Sequence, residues 1–456
     1  MNNEVRGIQS SNEWTMPSAS DYSAERPAVP PAVILVGPPW PRGGAARVIQ
    51  NQIAHYRSRG FFTVFIAVPF LWYDVSRDGH PKPVAEGMEE FGSDRLFAAI
   101  LEQKRYNLAK YRVSLRHMFR GTVLDWRVAI GRAARLSRND IEFLATLPAV
   151  LFHVNHIYTL DFALDLRRSL FGRRSRLPVV LETHDVQAHL LYERSILNPW
   201  TRRPDRLKRL IAAEAALLNK VNVLIHLSVD DFRFFKSLLP DKPQFLALPT
   251  IDDTFRSDVV APPAQSETID LLFVGQSHIP NLHAMKWFFE QVWPLIKDRG
   301  YDLKIVGQIE SMVKQELPRL YDSFASSFVG PVADLAPYYR AARCVIAPMI
   351  SGSGTSIKTI EALALGKPFV GTSKAFRGMP LDKIHAAGLR EYDDPQAFAE
   401  AIVQLLGSEN QAGAMSKAAY ESIFSLRASF AARDEALRAA ISAVGTPQIP
   451  NREVYI

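Results

Sequence analysis

At 456 residues, with 47% hydrophobic and 22% charged side chains, the chain is too long for one compact core and has the composition of a globular protein of two or three domains. Its single cysteine, Cys344, excludes an intrachain disulfide framework and fits a reducing cytosol, and no apolar run approaches the ~18 residues that span a bilayer. The net charge of +7 is concentrated, because residues 101–138 carry ten Lys/Arg against Glu102 and Asp125, leaving the remainder close to neutral.

Residues 1–30 are polar and aperiodic, which predicts a disordered tail. A buried-type strand follows over 32–37, then a Pro/Gly turn over 38–44 that ends in Gly43 and Gly44. The pattern continues as a helix over 45–59 and a strand over 61–68. Strand, glycine turn, helix and strand form a βαβ unit, which implies a parallel sheet. The stretch 71–140 is longer than an ordinary crossover and predicts added helices at the edge of the fold. Short apolar strands recur over 149–154, 178–182, 221–227 and 244–248, so residues 31–253 read as one α/β domain. Residues 254–267, with Pro262 and Pro263, read as a linker. Alternation then restarts: strand 270–274, helix 282–297, and strands 303–306, 327–329, 344–347 and 368–371. This second domain is expected over 268–425. A last long helix, about 414–444, has no strand after it, and residues 426–456 close the chain as helix and tail.

The most informative segment follows strand 344–347. A loop holding Gly352 and Gly354, with Ser351, Ser353, Thr355 and Ser356, opens a helix. Glycine lets a backbone approach a ligand closely, and a helix N-terminus favours an anion, most often phosphate. On that helix Ile357, Ile360, Leu363 and Ala364 make the apolar face, and Glu361 falls within the same arc. A carboxylate there must be paired or hydrogen-bonded. It either forms an intrahelical ion pair with Lys358 or holds the hydroxyls of a ligand lying over the helix start. Loop, lysine and carboxylate together point to a phosphate-plus-sugar ligand.

Three further features bear on chemistry. Gly43-Gly44 is either a simple turn or a second set of backbone N–H donors. His184-Asp185 ends strand 178–182, and strand C-termini are where open α/β sheets build their sites; Asp185 also fits an N-cap for the next helix. His153, Asn155 and His156 end the strand before it and are expected at the same cleft edge, with Asn155 and His156 as acceptor contacts. No spaced ligand set accompanies the histidines, so no metal site is expected. Neither Gly-x-x-x-x-Gly-Lys-[Ser/Thr] nor Gly-x-Gly-x-x-Gly occurs, which argues against P-loop and dinucleotide chemistry.

The run from Gly352 to Val370 resembles the donor-site signature of retaining glycosyltransferases with two facing Rossmann-like domains (the GT-B fold), of the group-1 or family-four type. Leu271-Leu-Phe-Val-Gly275-Gln-Ser-His-Ile-Pro-Asn281 is similar to the first strand and turn of that family's second domain. Phe328-Val-Gly-Pro-Val332-Ala-Asp-Leu-Ala-Pro-Tyr-Tyr339 is similar to its segment near the nucleotide base. The likeness is ordered over about 268–406 and looser over 31–60 and 177–250. It implies an α/β chain of two facing domains whose terminal helix crosses back to the first. It implies sugar transfer from a nucleotide sugar to a glycan or lipid-linked acceptor, with retention, no metal and no cofactor.

By the same resemblance Gly43, Gly44, Gly275, Gly307, Val332, Ser353, Gly354, Thr355, Ser356 and Glu361 would bind the donor. His184, Lys358 and Glu361 would serve catalysis, with Asn155, His156 and Asp185 on the acceptor side. The sequence departs from the family twice. Ser353 stands where many members have a glutamate, and Gln276 to Asn281 lacks the family's Arg and Lys. A sugar-nucleotide epimerase of similar shape and a non-catalytic nucleotide-sugar-binding scaffold remain as alternatives.

The basic region offers an anionic surface as partner. A helical reading of 97–120 places Phe97, Leu101, Leu108, Tyr111, Leu115 and Met118 on one stripe beside Arg105, Arg112, Arg116 and Arg120. That suits the inner face of the cell membrane, or else a solvated face over a stripe packed on the first domain. A cytoplasmic protein, peripheral on that membrane and without a nucleic-acid partner, is the expectation.

Overall fold

The computed structural model describes residues 30–40, 44–69, 91–119, 123–197, 204–251, 253–256 and 268–444. Residues 1–29 of the expected tail, Gly43, residues 71–90 of the expected insertion, Arg120, residues 257–267 of the linker and the last residues, 445–456, lie outside them.

Two parallel sheets organise the chain. The first contains β1 (Ala32–Gly37), β2 (Phe62–Ala67), β3 (Arg95–Ala98), β4 (Ala149–Asn155), β5 (Val179–Glu182), β6 (Val223–His226) and β7 (Gln244–Leu246) in the order β3-β2-β1-β4-β5-β6-β7. The second contains β8 (Ile269–Val274), β9 (Leu303–Val306), β10 (Phe328–Gly330), β11 (Ala342–Ala347) and β12 (Phe369–Gly371) in the order β10-β9-β8-β11-β12. The central strands are continuous apolar runs because helices cover both faces, and β1 is buried at every residue. In each sheet the strand order reverses beside its first strand, between β1 and β4 and between β8 and β11, and ligand crevices open at such points.

The helices that bear on the site are α1 (Gly44–Ser58), α2 (Gln103–Phe119), α3 (Gln187–Leu197), α4 (Val229–Leu238), α5 (Ile279–Trp287), α6 (Ile357–Ala364), α7 (Glu409–Ile423) and α8 (Leu426–Ser442). Two differ from the sequence reading. The stretch 71–140 contributes an edge strand, β3, paired with β2, so the helical stripe over 97–120 does not form as read. Phe97 lies in β3, Leu101 is buried in the following connection, and α2 starts at Gln103. The helix expected over 414–444 is two helices, because Phe424 is fully buried and the Ser425 side chain accepts from Ala428 N as a new N-cap.

The break lets each helix pack on a different domain. Tyr420 and Ile423 of α7 join the core of the second domain, whereas Ala436, Leu437 and Ala440 of α8 join the first-domain cluster under β1, β4 and β6. Polar contacts fix α8 in place. Arg433 bonds Glu182 at the end of β5 with both terminal nitrogens, Nη2 to Oε1 at 3.2 Å, and both side chains are buried. Burial alone would raise the Glu182 carboxyl, but the Arg433 charge beside it holds it well below the usual carboxylate range. One residue on, Asp434 takes bonds from His55 and Arg59 of the first domain at 2.8 and 2.7 Å.

Removing one partner of a buried pair leaves a bare charge, which costs about 3–5 kcal/mol, whereas replacing both with apolar groups of similar size is near neutral. Arg433→Ala should therefore lower the urea midpoint of the first domain sharply, and Glu182→Leu with Arg433→Met should recover most of the loss. A single Arg433→Ala chain as stable as the parent would mean that the apolar face alone holds α8.

Candidate active site

The loop between β11 and α6 rises at the switch point of the second sheet. Gly352 and Gly354 both take positive φ, 124° and 64°, which other residues rarely adopt. The loop is crossed by hydrogen bonds that leave its parts in different roles. The Thr355 hydroxyl donates to Leu227 O of the first domain at 2.8 Å, while buried Ser356 accepts from Thr359 Oγ1 at 3.0 Å. Ser353 supplies its carbonyl to Arg377 Nε at 3.0 Å. At the neighbouring strand ends, a Cβ on Gly307 would fall 2.3 Å from Gly275 O. Beside those glycines an open groove of about 520 Å³ is lined by Ser277, Gln308, Glu310, Ser311, Lys314 and Pro331. Val332 follows Pro331, half-buried against the core.

Glu361 is 6% exposed, as its place on the apolar face requires. Its partners come from both domains. The Tyr339 hydroxyl donates to Oε2 at 2.8 Å, and Arg47 Nη1 of α1 lies 3.0 Å from Oε1. Lys358 turns elsewhere, its Nζ 2.7 Å from Asn281 Oδ1 and 4.3 Å from the centre of the Phe273 ring. Burial, then the like charge of Arg377, push the Lys358 ammonium down to about 7, with Glu361 pulling the other way. Asn281 ends the segment Gln276 to Asn281 that carries neither Arg nor Lys, and Lys358 of α6 brings a cation to its side chain.

The first domain closes over this loop. A Cβ on Gly44 would sit 2.9 Å from Ile357 Cγ1, and one on Gly354 would sit 3.2 Å from Asp185 Oδ1. Glycine at both positions permits the approach. A second junction joins Gly378 to the start of α4, where Val229 N donates to Gly378 O at 2.8 Å and Gly378 N to Asp230 Oδ2 at 3.2 Å.

His184 directly precedes Asp185, the residue that faces Gly354. Its Nε2 is 3.0 Å from Asn155 Oδ1, which also accepts from Gln52 Nε2 at 2.7 Å, so the ring presents Nε2–H to Asn155. Burial pushes the ring down to about 4 and keeps it neutral at pH 7. His156 stacks between Tyr158 (4.2 Å between centroids) and His184 (5.5 Å), and it is the one non-glycine residue with positive φ among those described. His153 is not at the cleft edge. Strand alternation turns it to the α1 side, where it bonds Tyr56 OH at 2.8 Å and faces Glu182. The start of α3 is supported by Glu214, whose Oε1 takes the Gln187 N–H at 2.9 Å. Among the described residues no group of three or more His, Cys, Asp or Glu side chains is placed to hold a metal ion.

Residues 268–408, which contain the glycine loop, α6 and Glu361, match the family model Glycosyl transferases group 1. The second domain is a group 1 glycosyltransferase domain. The fold of the whole chain is similar to that of sucrose-phosphate synthase from Thermosynechococcus elongatus (TM-score 0.61, 14% identity, covering 91% of this chain and 100% of that one). It is similar to Anabaena HepE solved in complex with UDP (0.57, 14%, 90% and 100%) and to trehalose 6-phosphate synthase from Burkholderia multivorans (0.57, 13%, 91% and 100%). No curated protein sequence matches the chain. These likenesses identify the GT-B architecture of two facing Rossmann-like domains.

Around this loop, Arg47, Tyr339, Asn281 and Arg377 are site neighbours to which the sequence reading gave no role. Tyr339 ends a segment that reading did single out, and Arg47 follows Gly44 by three residues on α1. Arg377 had no local signal, because only the turn after β12 carries it to Gly352.

The displaced titration of Lys358 has a measurable consequence. Between pH 7 and 10.5 the unfolded chain holds a proton that the folded chain has released, so this group makes stability rise with pH across that window and costs most below it. Lys358→Met should abolish that part of the slope, read from urea unfolding at pH 7, 8 and 9. Parallel profiles for variant and parent would show that the lysine titrates normally.

Proposed function

We propose that this glycosyltransferase moves a sugar from a nucleotide-sugar donor to a glycan or lipid-linked acceptor, with retention and without a metal. The observation that carries the reading is Glu361, a buried carboxylate set one turn beyond a glycine loop and paired with Arg47 of the first domain. A ribose diol can donate both hydroxyls to such a carboxylate. The diphosphate would then lie over Gly354 and Thr355, where backbone N–H groups, Lys358 and Arg377 stabilise the charge that grows as the sugar–oxygen bond breaks. HepE solved with UDP and with UDP-glucose supports a donor of this type. Ser353, Ser356, Gly275, Gly307 and Val332 complete the donor side in this reading, with Gly43 and Gly44 approaching from the first domain. His184, neutral and held by Asn155, would orient the transferred sugar, with His156 and Asp185 facing the acceptor.

A thermal-shift panel of UDP-, GDP- and ADP-sugars should identify a donor, and incubation without acceptor should release free sugar slowly. Glu361→Ala should weaken that donor by about one to two decades, the worth of a charge-assisted hydrogen bond, with the fold kept. His184→Ala should cut transfer while sparing nucleoside-diphosphate affinity. Binding without any release or transfer would favour a scaffold, and a variant at Glu361 that binds as the parent does would remove it from the donor site.

Attachment to an anionic membrane rests on α2, where Leu108 and Tyr111 are 49% and 63% exposed between exposed Arg105 and Arg112. Several other basic residues of the region have internal duties, since Arg132 pairs with Asp165, Arg138 with Glu142, and Arg127 bonds Tyr158. Flotation should show binding to anionic but not neutral vesicles, lost on Arg112→Glu with Tyr111→Ser; no flotation with either would end this proposal.

A further inference from the structure

Arg47 holds a position that the transfer reaction gives a second use. Its guanidinium lies 3.0 Å from Glu361 Oε1, across the boundary between domains, and its Cζ sits 4.7 Å from the centre of the Phe255 ring. A second contact to the same carboxylate, from Tyr339, belongs to the second domain and is fully buried. The Arg47 side chain keeps 22% of its surface exposed, so it is the more accessible partner of the two.

A ribose that donates to Glu361 competes for Oε1 with this guanidinium. Displaced, the guanidinium needs another anion, because a partly buried charge left unpaired is costly. Arg47 lies on the first turn of α1, whose Gly44 touches Ile357, the first residue of α6. That same end of α6 is where the proposed donor places its diphosphate. Charge favours the exchange as well. Lys358 is only part-protonated near pH 7 and Asp185 faces Gly354, so a sugar-diphosphate linkage with two negative charges gains from a guanidinium released by Glu361.

We propose that Arg47 is a donor-binding residue that changes partner, neutralising Glu361 in the empty site and passing to the diphosphate when the ribose takes Glu361. This rests on the nucleotide-sugar reading above. It gives the first domain a direct contact with the leaving group, so that donor occupancy is felt by the domain that holds the acceptor.

The exchange leaves a crossed signature. Arg47→Ala removes a competitor for the ribose and a ligand for the phosphates, so the two halves of the nucleotide should respond in opposite directions. Calorimetry with uridine, guanosine and adenosine against UDP, GDP and ADP would measure it on the full chain. For the nucleotide that binds, nucleoside affinity should hold or tighten, while diphosphate affinity falls about ten- to hundredfold, the range for a charge-assisted bond to phosphate. Arg47→Lys should restore part of the diphosphate affinity. Equal losses for nucleoside and diphosphate would mean that Arg47 only props the site, and no change in either would mean that it never meets the donor. Both results overturn the exchange while leaving nucleotide binding in place. A parent chain that binds none of the six would overturn the nucleotide-sugar reading and the exchange together.

Discussion

A carboxylate on the apolar face of a helix needs partners wherever it sits, and Glu361 takes its partners from both halves of the molecule. The packing of α6 against the second sheet puts the side chain under the glycine loop, where solvent cannot pair it. Tyr339 answers from below and Arg47 from the opposite domain. The same requirement explains why Gly44 and Gly354 have no side chains, since a methyl group at Gly44 would meet Ile357 and hold the domains apart. The approach of the domains at Gly44 and the pairing of Glu361 with Arg47 occur together in this structure.

The first domain depends on a second buried charge. Glu182 ends β5 two residues before His184, and its position is set by Arg433 from the far end of the chain. The terminal helix therefore supports the polar cluster of Asn155, Gln52 and His184 from behind, through the strand rather than by contact. A buried pair of this kind confers definition more than stability, because an apolar pair of equal volume would pack as well.

Much of this was legible in the sequence, and the reasons are local. Glycines at fixed offsets before an amphipathic helix and a carboxylate on the wrong arc of its wheel announced the loop, α6 and Glu361. Continuous apolar runs announced the parallel strands. What escaped depended on distant chain segments. Arg377 meets Gly352 only after the turn beyond β12, and the Arg47–Glu361 pair joins residues of different domains. His153 was misplaced for a simpler reason, since it lies two residues inside the end of β4, fully buried against Tyr56, while Asn155 on the same face reaches His184. The break at Phe424 was hidden because helical periodicity continues through it while the buried face changes domain.

That break has a topological consequence. The chain leaves the first domain after β7 and returns at Ser425, so the second domain is an insertion rather than a successor. Exit and return are tied together, because the Tyr420 hydroxyl is 3.1 Å from Thr250 Oγ1 and donates to Ile251 O at 2.9 Å. Two neighbouring crossings so tied act as a double-stranded pivot, which favours rotation about their shared axis over sliding or twisting. Evolution or engineering could then replace the inserted domain as a cassette, provided that both crossings and the tyrosine between them travel with it.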